Sequence, residues 1–188
     1  PRLATSFALL FLTRSTPSLK PRELKRGGSG ILRTGIVLPR GSRYYLILDA
    51  SGSMTAEMDG KTKWQIARDA VARLVEDLPD TSEVALRVYG HRKRAIEEGA
   101  SDDTALEIPL RRLVKKDFLA KLESLRPRGK TPLARSLLEA KRDLGGAAAS
   151  DPVTVILLTD GGEDTLPRQD PVRAAATLGE LKGIRFHV

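Results

Sequence analysis

Two short apolar runs, each ending abruptly in acidic and hydroxyl residues, constrain most strongly what this chain can fold into. Residues 45–48 (YLIL) and 153–158 (VTVILL) have the continuous apolar character of strands that are buried on both faces. Such strands belong to parallel sheets, whose neighbouring strands are joined by crossovers that are usually helical. The rest of the chain is therefore expected to supply helices that cover the sheet on both sides.

The segments around these runs fit that expectation. Apolar residues at helical spacing, followed by Pro79, predict a helix over 63–78. Three more helices are predicted to begin at cap residues: Asp117, Thr131 (followed by Pro132) and Asp170 (followed by Pro171). Further strands are predicted over 84–89, 105–110 and 184–188. This alternation predicts an α/β fold with a doubly wound, mostly parallel sheet and helices on both faces.

Length and composition limit the number of domains and the kinds of site. With 188 residues, the chain can form one α/β domain plus an appendage, which we divide into residues 1–43 and residues 44–188. The chain has no cysteine and only two histidines. A thiolate metal site is therefore excluded, and any metal site has to be built from oxygen.

The net charge of +8 is concentrated in the first 43 residues, which hold nine Lys or Arg and one acid. Subtracting these from the totals of 32 and 24 leaves 23 basic and 23 acidic residues in the predicted domain. Aromatic residues make up only 4% of the chain, and no basic stripe is interleaved with them. This pattern argues against nucleic-acid recognition.

The leader, residues 1–43, reads as a short helix over 3–12 followed by a basic linker broken by Pro and Gly. Its longest apolar run, residues 7–12, is far short of the ~20 residues that cross a bilayer. No clear signal-peptide cleavage site is visible, and the chain reads as a piece of something longer. The linker charges favour a solvated segment over contact with a membrane, and nothing indicates the compartment.

Oxygen-bearing side chains cluster where the two buried strands end. Asp49, Ser51 and Ser53 alternate directly after the first strand, and Asp160 follows the second. In a doubly wound sheet, ligands bind outside the carboxyl ends of the strands, where the strand order reverses. Carboxylate and hydroxyl oxygens suit a hard cation such as Mg²⁺, and neutral hydroxyl ligands leave that cation able to attract a further carboxylate.

Simpler interpretations of these residues remain open. The Asp49 turn can cap the following helix, and Thr131 is already explained as an N-cap. Glu163, Asp164 and Asp170 fit a solvated acidic loop better than partners of the site. The residues 129–131 (GKT) lack the glycine that a phosphate-binding loop requires, and no nucleophile elbow is present for a serine hydrolase using His91.

These residues together resemble the metal-ion-dependent adhesion site of von Willebrand factor A domains: Asp49-x-Ser51-x-Ser53, Thr131 and Asp160 stand in the expected order. The resemblance covers residues 44–188. The segments VALRVYGHR (84–92), GKTPL (129–133) and LLTDG (157–161) look like bacterial members of that family.

Membership would imply that these five residues bind one Mg²⁺ or Mn²⁺ and leave one position for an Asp or Glu of a protein partner. It would also imply a strand order of 3-2-1-4-5-6, with 105–110 as an antiparallel edge. The family's last helix and strand would be absent after Val188, so we expect the strand at 184–188 to be uncovered and prone to association.

Residues 4–12 (ATSFALLFL) are similar to the last helix of prenyltransferase or squalene-cyclase-like repeat domains. That similarity would imply further domains in the parent chain.

We therefore predict a binding module without catalytic residues that captures a partner carboxylate at a bound cation. Two alternatives stay open. One is a metal-dependent hydrolase that uses the same site, although the sequence offers no candidate base. The other is a scaffold in which the metal site is vestigial.

Overall fold

The structure is a computed structural model that describes residues 42–145, 152–165, 167–181 and 183–187. The leader helix, most of the linker and the similarity of residues 4–12 fall outside these residues, as does Val188. None of the described residues forms a helix that is long and apolar enough to span a bilayer.

The strand order of the central sheet agrees with the prediction. Five strands form it: β1 (Arg43–Asp49), β4 (Glu83–Tyr89), β5 (Thr104–Arg112), β6 (Val153–Leu158) and β7 (Ile184–His187). Their order is β5-β4-β1-β6-β7, and every pairing is parallel except that of β5 with β4. The edge strand β5 is longer than the predicted 105–110. The strand order reverses at β1, so the ends of β1 and β6 lie side by side.

Four helices cover the sheet: α1 (Lys63–Asp77), α2 (Lys115–Ser124), α3 (Leu133–Leu144) and α4 (Pro171–Gly179). Side chains of β1 alternate between the two faces. Tyr44, Leu46 and Leu48 pack in one core with α1 and α2. Tyr45 and Ile47 pack in a second core with α3 and α4. Because both faces of β1 are buried, its functional groups can leave the core only at its ends.

Two of the three predicted helix caps are wrong. Helix α2 begins at Lys115 because the carbonyl of Val114 accepts the first helical bond, from Phe118 N; Asp117 lies inside the first turn. Helix α3 is preceded by Pro132, not Thr131, since the carbonyl of Pro132 accepts from Ser136 N. The third prediction is confirmed: the Asp170 carboxylate accepts from Val172 N at 2.9 Å.

A short hairpin before α1 was not predicted. Strands β2 (Glu57–Met58) and β3 (Lys61–Thr62) form it, and its turn places Asp59 and Gly60 at positive φ. It leads directly into α1, whose first turn is held by reciprocal hydrogen bonds between Thr62 and Gln65. The hairpin therefore fixes where the first residue of α1, Lys63, meets the sheet.

Candidate metal centre

The turn after β1 brings three of the predicted oxygen-bearing side chains close together. Asp49 is fully buried, and its Oδ1 accepts a hydrogen bond from Ser51 N at 2.8 Å. This bond folds the chain back immediately after the strand, and a 3₁₀ helix over Gly52–Thr55 continues the turn. The hydroxyls of Ser51 and Ser53 then lie 3.0 Å apart. The alternating pattern thus produces a compact group of three oxygen-bearing side chains.

The second oxygen of Asp49 is held by neutral donors alone. Its Oδ2 accepts from the Tyr89 hydroxyl and from the Thr159 hydroxyl, each at 2.9 Å. Among the described residues, no Lys or Arg pairs with this carboxylate. Burial raises the pKa of Asp49 above its usual value, although the hydrogen bonds from Ser51, Thr159 and Tyr89 oppose the shift.

Asp160 joins this group from the end of β6. Its Oδ1 accepts from the Ser53 hydroxyl at 3.1 Å, across 107 residues of sequence. Its Oδ2 lies 2.8 Å from the Lys63 ammonium, and the two side chains are only 4% and 16% exposed. A chain of hydrogen bonds therefore runs from Ser51 through Ser53 to Asp160, and Asp160 in turn pairs with Lys63.

The loop before α3 brings Thr131 to the same edge of the sheet. Gly129 pairs with Ser51 in an isolated parallel bridge, and Gly52 N donates to Gly129 O at 2.8 Å. Thr131, two residues further along, is buried. The contacts of Gly129 place the loop that carries Thr131 beside the Ser51 turn, while the hydrogen bonds described above connect Ser51, Ser53 and Asp160.

Two glycines permit this close approach of backbones. Gly90, after β4, has φ +70°, and a Cβ there would lie 2.5 Å from Lys130 O and 2.8 Å from Ser51 Cα. A Cβ on Gly129 would lie 2.4 Å from Lys93 O. A Cβ at Gly90 would therefore push the Thr131 loop away from the Ser51 turn, and a Cβ at Gly129 would displace the same loop from the segment that carries Lys93.

Glu163 does not lie in solvent as the sequence favoured, whereas Asp164 is exposed as expected but also binds the backbone of Thr131. Glu163 is buried; its carboxylate accepts from Ala134 N at 2.8 Å and from the Thr165 hydroxyl. The Asp164 carboxylate accepts from Thr131 N. These two acids bind backbone N–H groups at the start of α3, where orphan donors and the helix dipole favour negative charge. They position Thr131 against the loop that carries Asp160.

Other residues around the site were not predicted to be its ligands. Tyr89 and Thr159 read as the end of a strand and as part of a turn, and Lys63 read only as the start of a helix. Their hydrogen bonds to Asp49 and Asp160 span 40, 110 and 97 residues. His91, the histidine that a serine hydrolase would have used, is buried and its Nε2 lies 2.9 Å from Glu107 Oε1.

The chemistry of the donor set fits a hard divalent cation. Its predicted members are two carboxylates and three hydroxyls, all of them oxygen. In the parts of the chain that the structure describes, no group of three or more His, Asp or Glu side chains is arranged to hold a metal. A cation bound here would therefore depend on hydroxyl ligands beside Asp49 and Asp160.

The fold and this site define an open α/β domain with an oxygen-rich group at the carboxyl edge of its sheet, where the strand order reverses. Residues 44–163 match the model of the von Willebrand factor type A domain, so the chain belongs to that family.

A curated relative and two solved structures are similar to the chain. YwmC of Bacillus subtilis is 31% identical over 121 residues, which cover 63% of this chain and 53% of the relative; the chain thus spans about half of YwmC. A von Willebrand factor type A protein of Catenulispora acidiphila has a TM-score of 0.59 at 20% identity, over 80% of this chain and 33% of that one. The pilus adhesin SpaC of Lactobacillus rhamnosus GG has a TM-score of 0.52 at 20% identity, and the match covers 66% of this chain and 16% of SpaC. At these identities the two structures support the fold alone.

Proposed function

We propose that this domain binds one Mg²⁺ or Mn²⁺ and uses it to capture a carboxylate from a protein partner. The proposed ligand set consists of the side chains of Asp49, Ser51, Ser53, Thr131 and Asp160. The observation that carries the proposal is the hydrogen-bonded chain from Ser51 through Ser53 to Asp160, beside a buried Asp49.

The electrostatics of Asp49 support cation binding. A carboxylate removed from water is costly to ionise unless a positive charge compensates it. Asp49 has only neutral donors in the described residues, although it is 0% exposed. A divalent cation beside it would supply the missing compensation. The three neutral donors keep the carboxylate oriented in the meantime.

A bound divalent cation supplies a Lewis-acid centre that can accept an oxygen from an external carboxylate. The residues of the chain orient and limit that centre. Ser51 and Ser53 contribute neutral hydroxyls, Asp160 contributes Oδ1, and Asp164 holds the Thr131 backbone in place. With few charged ligands, the site keeps positive charge available for a partner's Asp or Glu.

The proposal is a binding module and not an enzyme. A hydrolase would need a base next to the cation. His91 is buried with its Nε2 on Glu107, and that glutamate also pairs with Lys121 at 3.1 Å. Adhesion by SpaC agrees with an interaction role for the same fold, although the likeness concerns the fold only.

Isothermal titration of Mg²⁺ and Mn²⁺ tests cation binding. We expect one site in the wild type and no binding in the double variant Asp49→Ala, Ser51→Ala. The matched control is Asp80→Ala, Thr81→Ala, which removes an acid and a hydroxyl from an exposed loop before β4. Equal titrations of the wild type and the Asp49, Ser51 variant would contradict the proposal.

Carboxylate capture can be measured through the relaxation of water protons by protein-bound Mn²⁺. We expect acetyl-glutamate amide to displace water from the bound ion and lower the relaxation enhancement. Acetyl-glutamine amide, which has the same shape and no charge, is the control and should leave it unchanged. Equal responses to the two amides would contradict the capture of a carboxylate. If neither amide changes the relaxation enhancement while Mn²⁺ still binds, the metal site is vestigial.

A further inference from the structure

Lys63 occupies a position that the five-residue pattern does not explain. Its ammonium lies 2.8 Å from Asp160 Oδ2, and the lysine and aspartate side chains are 16% and 4% exposed. Surface ion pairs are loosely held and contribute little, whereas this pair is largely removed from water. Asp160 therefore divides its two oxygens between a lysine and the Ser53 hydroxyl.

The chain holds Lys63 in place from both sides. Lys63 N donates to Ala56 O at 2.9 Å, and the capping residue Thr62 precedes it in the hairpin. Lys63 is the first residue of α1, and its side chain extends from this fixed helix end to Asp160. The ammonium is thus preorganised beside Asp160.

This arrangement sets the charge of the site. Asp49 and Asp160 carry one negative charge each and Lys63, which pairs with Asp160, carries one positive charge, so this group of three side chains has one net negative charge. A divalent cation would bring it to one net positive charge, whereas the same site without the lysine would become neutral. The lysine therefore opposes the cation and attracts an incoming carboxylate.

We infer that Lys63 tunes the site: it weakens the binding of the divalent cation and strengthens the binding of a carboxylate to the loaded site. This inference rests on the proposed function and goes beyond it, because it assigns a specificity-determining role to a residue outside the ligand set.

The substitution Lys63→Met tests it, because methionine keeps most of the apolar stem and removes the charge. By isothermal titration we expect Lys63→Met to bind Mg²⁺ about tenfold more tightly than the wild type, since the repulsion between the two cations is removed. By Mn²⁺ relaxation we expect it to bind acetyl-glutamate amide about tenfold more weakly. Lys63→Arg keeps the charge and should stay close to the wild type in both measurements.

Lys61→Met is the matched control, since Lys61 lies two residues earlier, is 56% exposed and pairs with Asp69. It should change neither affinity. The melting temperature provides a second readout, because Mg²⁺ should raise it more in Lys63→Met than in the wild type.

The outcomes separate this inference from the proposed function. If the wild type binds Mg²⁺ and Lys63→Met binds it equally or less tightly, Lys63 only positions Asp160 and the inference is wrong, while the proposed function stands. If the wild type binds neither Mg²⁺ nor Mn²⁺, both fail.

Discussion

Two buried aspartates, Asp49 and Asp103, differ in the charge of the groups that donate hydrogen bonds to them. Each side chain is essentially inaccessible to water, and each accepts three hydrogen bonds. Asp103 accepts from the backbone N–H groups of Arg92 and Lys93 at 2.8 and 2.9 Å, and from Arg92 Nε at 2.7 Å. Asp49, among the described residues, accepts only from neutral groups.

The difference shows in the pKa of each carboxyl. Burial raises the pKa of Asp49, and its neutral donors do not fully offset that cost. Burial also acts to raise the pKa of Asp103, but the backbone N–H groups and the Arg92 guanidinium reverse the shift and hold it below the usual value. Asp103 is a completed structural ion pair, whereas Asp49 is a buried charge that a cation from outside could compensate.

Gly90 contacts the backbone of both segments that carry these carboxylates, so its substitution should disturb both segments. Gly90 N donates to Asp103 O at 2.9 Å, and its Cα faces Ser51. Gly90→Ala should cost about 3 to 5 kcal/mol in the free energy of unfolding, since it combines strain at positive φ with overpacking against backbone. Urea unfolding measures this. The control Gly60→Ala, also at positive φ but with open space around it, should cost only about 1 kcal/mol.

Replacing each aspartate by asparagine tests the comparison directly. Asp103→Asn would turn an amide N–H₂ group toward N–H donors and should destabilise the protein by about 3 kcal/mol. The neighbouring Asp102→Asn, at an exposed carboxylate that pairs with Arg135, should cost less than about 1 kcal/mol. Equal costs in urea unfolding would show that the buried pair at Asp103 adds nothing.

Asp49→Asn should behave in the opposite way. In chelator we expect it to melt at or slightly above the wild-type temperature, because the variant buries no charge and the Tyr89 and Thr159 hydroxyls can accept from an amide. Mg²⁺ at one hundred times its Kd should then stabilise the wild type by about 2.7 kcal/mol and the variant by almost nothing. Differential scanning fluorimetry with and without Mg²⁺ checks both statements, with Asp80→Asn as control. A large loss of stability in chelator would mean that Asp49 is a structural carboxylate like Asp103.

The sequence was sufficient to predict the sheet. Continuous apolar runs identify strands buried on both faces, and parallel strands end at a common edge, so the turns after β1 and β6 were expected to share one site. In the structure, the Ser53 hydroxyl of the first turn donates to Asp160 of the second. The five-residue ligand set itself stays a prediction.

The surroundings of the site could not be predicted in this way, because loops and caps determine them. Asp103 lies in a charged segment without periodicity, and Lys63 reaches Asp160 only because an unpredicted hairpin orients α1. The predicted cap of α3 is wrong for a related reason. Thr131 has the right residue type, but the carbonyl that accepts the first helical hydrogen bond is one residue later, at Pro132. Side-chain chemistry alone does not locate a helix end to one residue.

Lowering the pH should change the contributions of Asp103 and Asp49 to the free energy of unfolding in opposite directions. These changes are smaller than those expected for the substitutions above. The folded-state pKa of Asp103 lies below the ordinary value of 3.8. Its contribution to stability is therefore complete above pH 3.8 and is lost as the pH falls through that lowered pKa. The folded-state pKa of Asp49 lies above 3.8, so between that raised pKa and 3.8 the folded protein binds more protons than the unfolded chain. The cost of the buried charge is therefore relieved as the pH falls toward 3.8.

Urea unfolding in chelator, at several pH values between 7 and 3, measures both trends against the asparagine variants. The stability advantage of the wild type over Asp103→Asn should hold down to about pH 4 and shrink below it. Any advantage of Asp49→Asn over the wild type should instead shrink as the pH falls toward 3.8, because the wild-type carboxyl takes up its proton at a higher pH in the folded state than in the unfolded state. If the stability difference from the wild type changes with pH in the same way for Asp103→Asn and Asp49→Asn, the Arg92 guanidinium does not distinguish the two carboxylates.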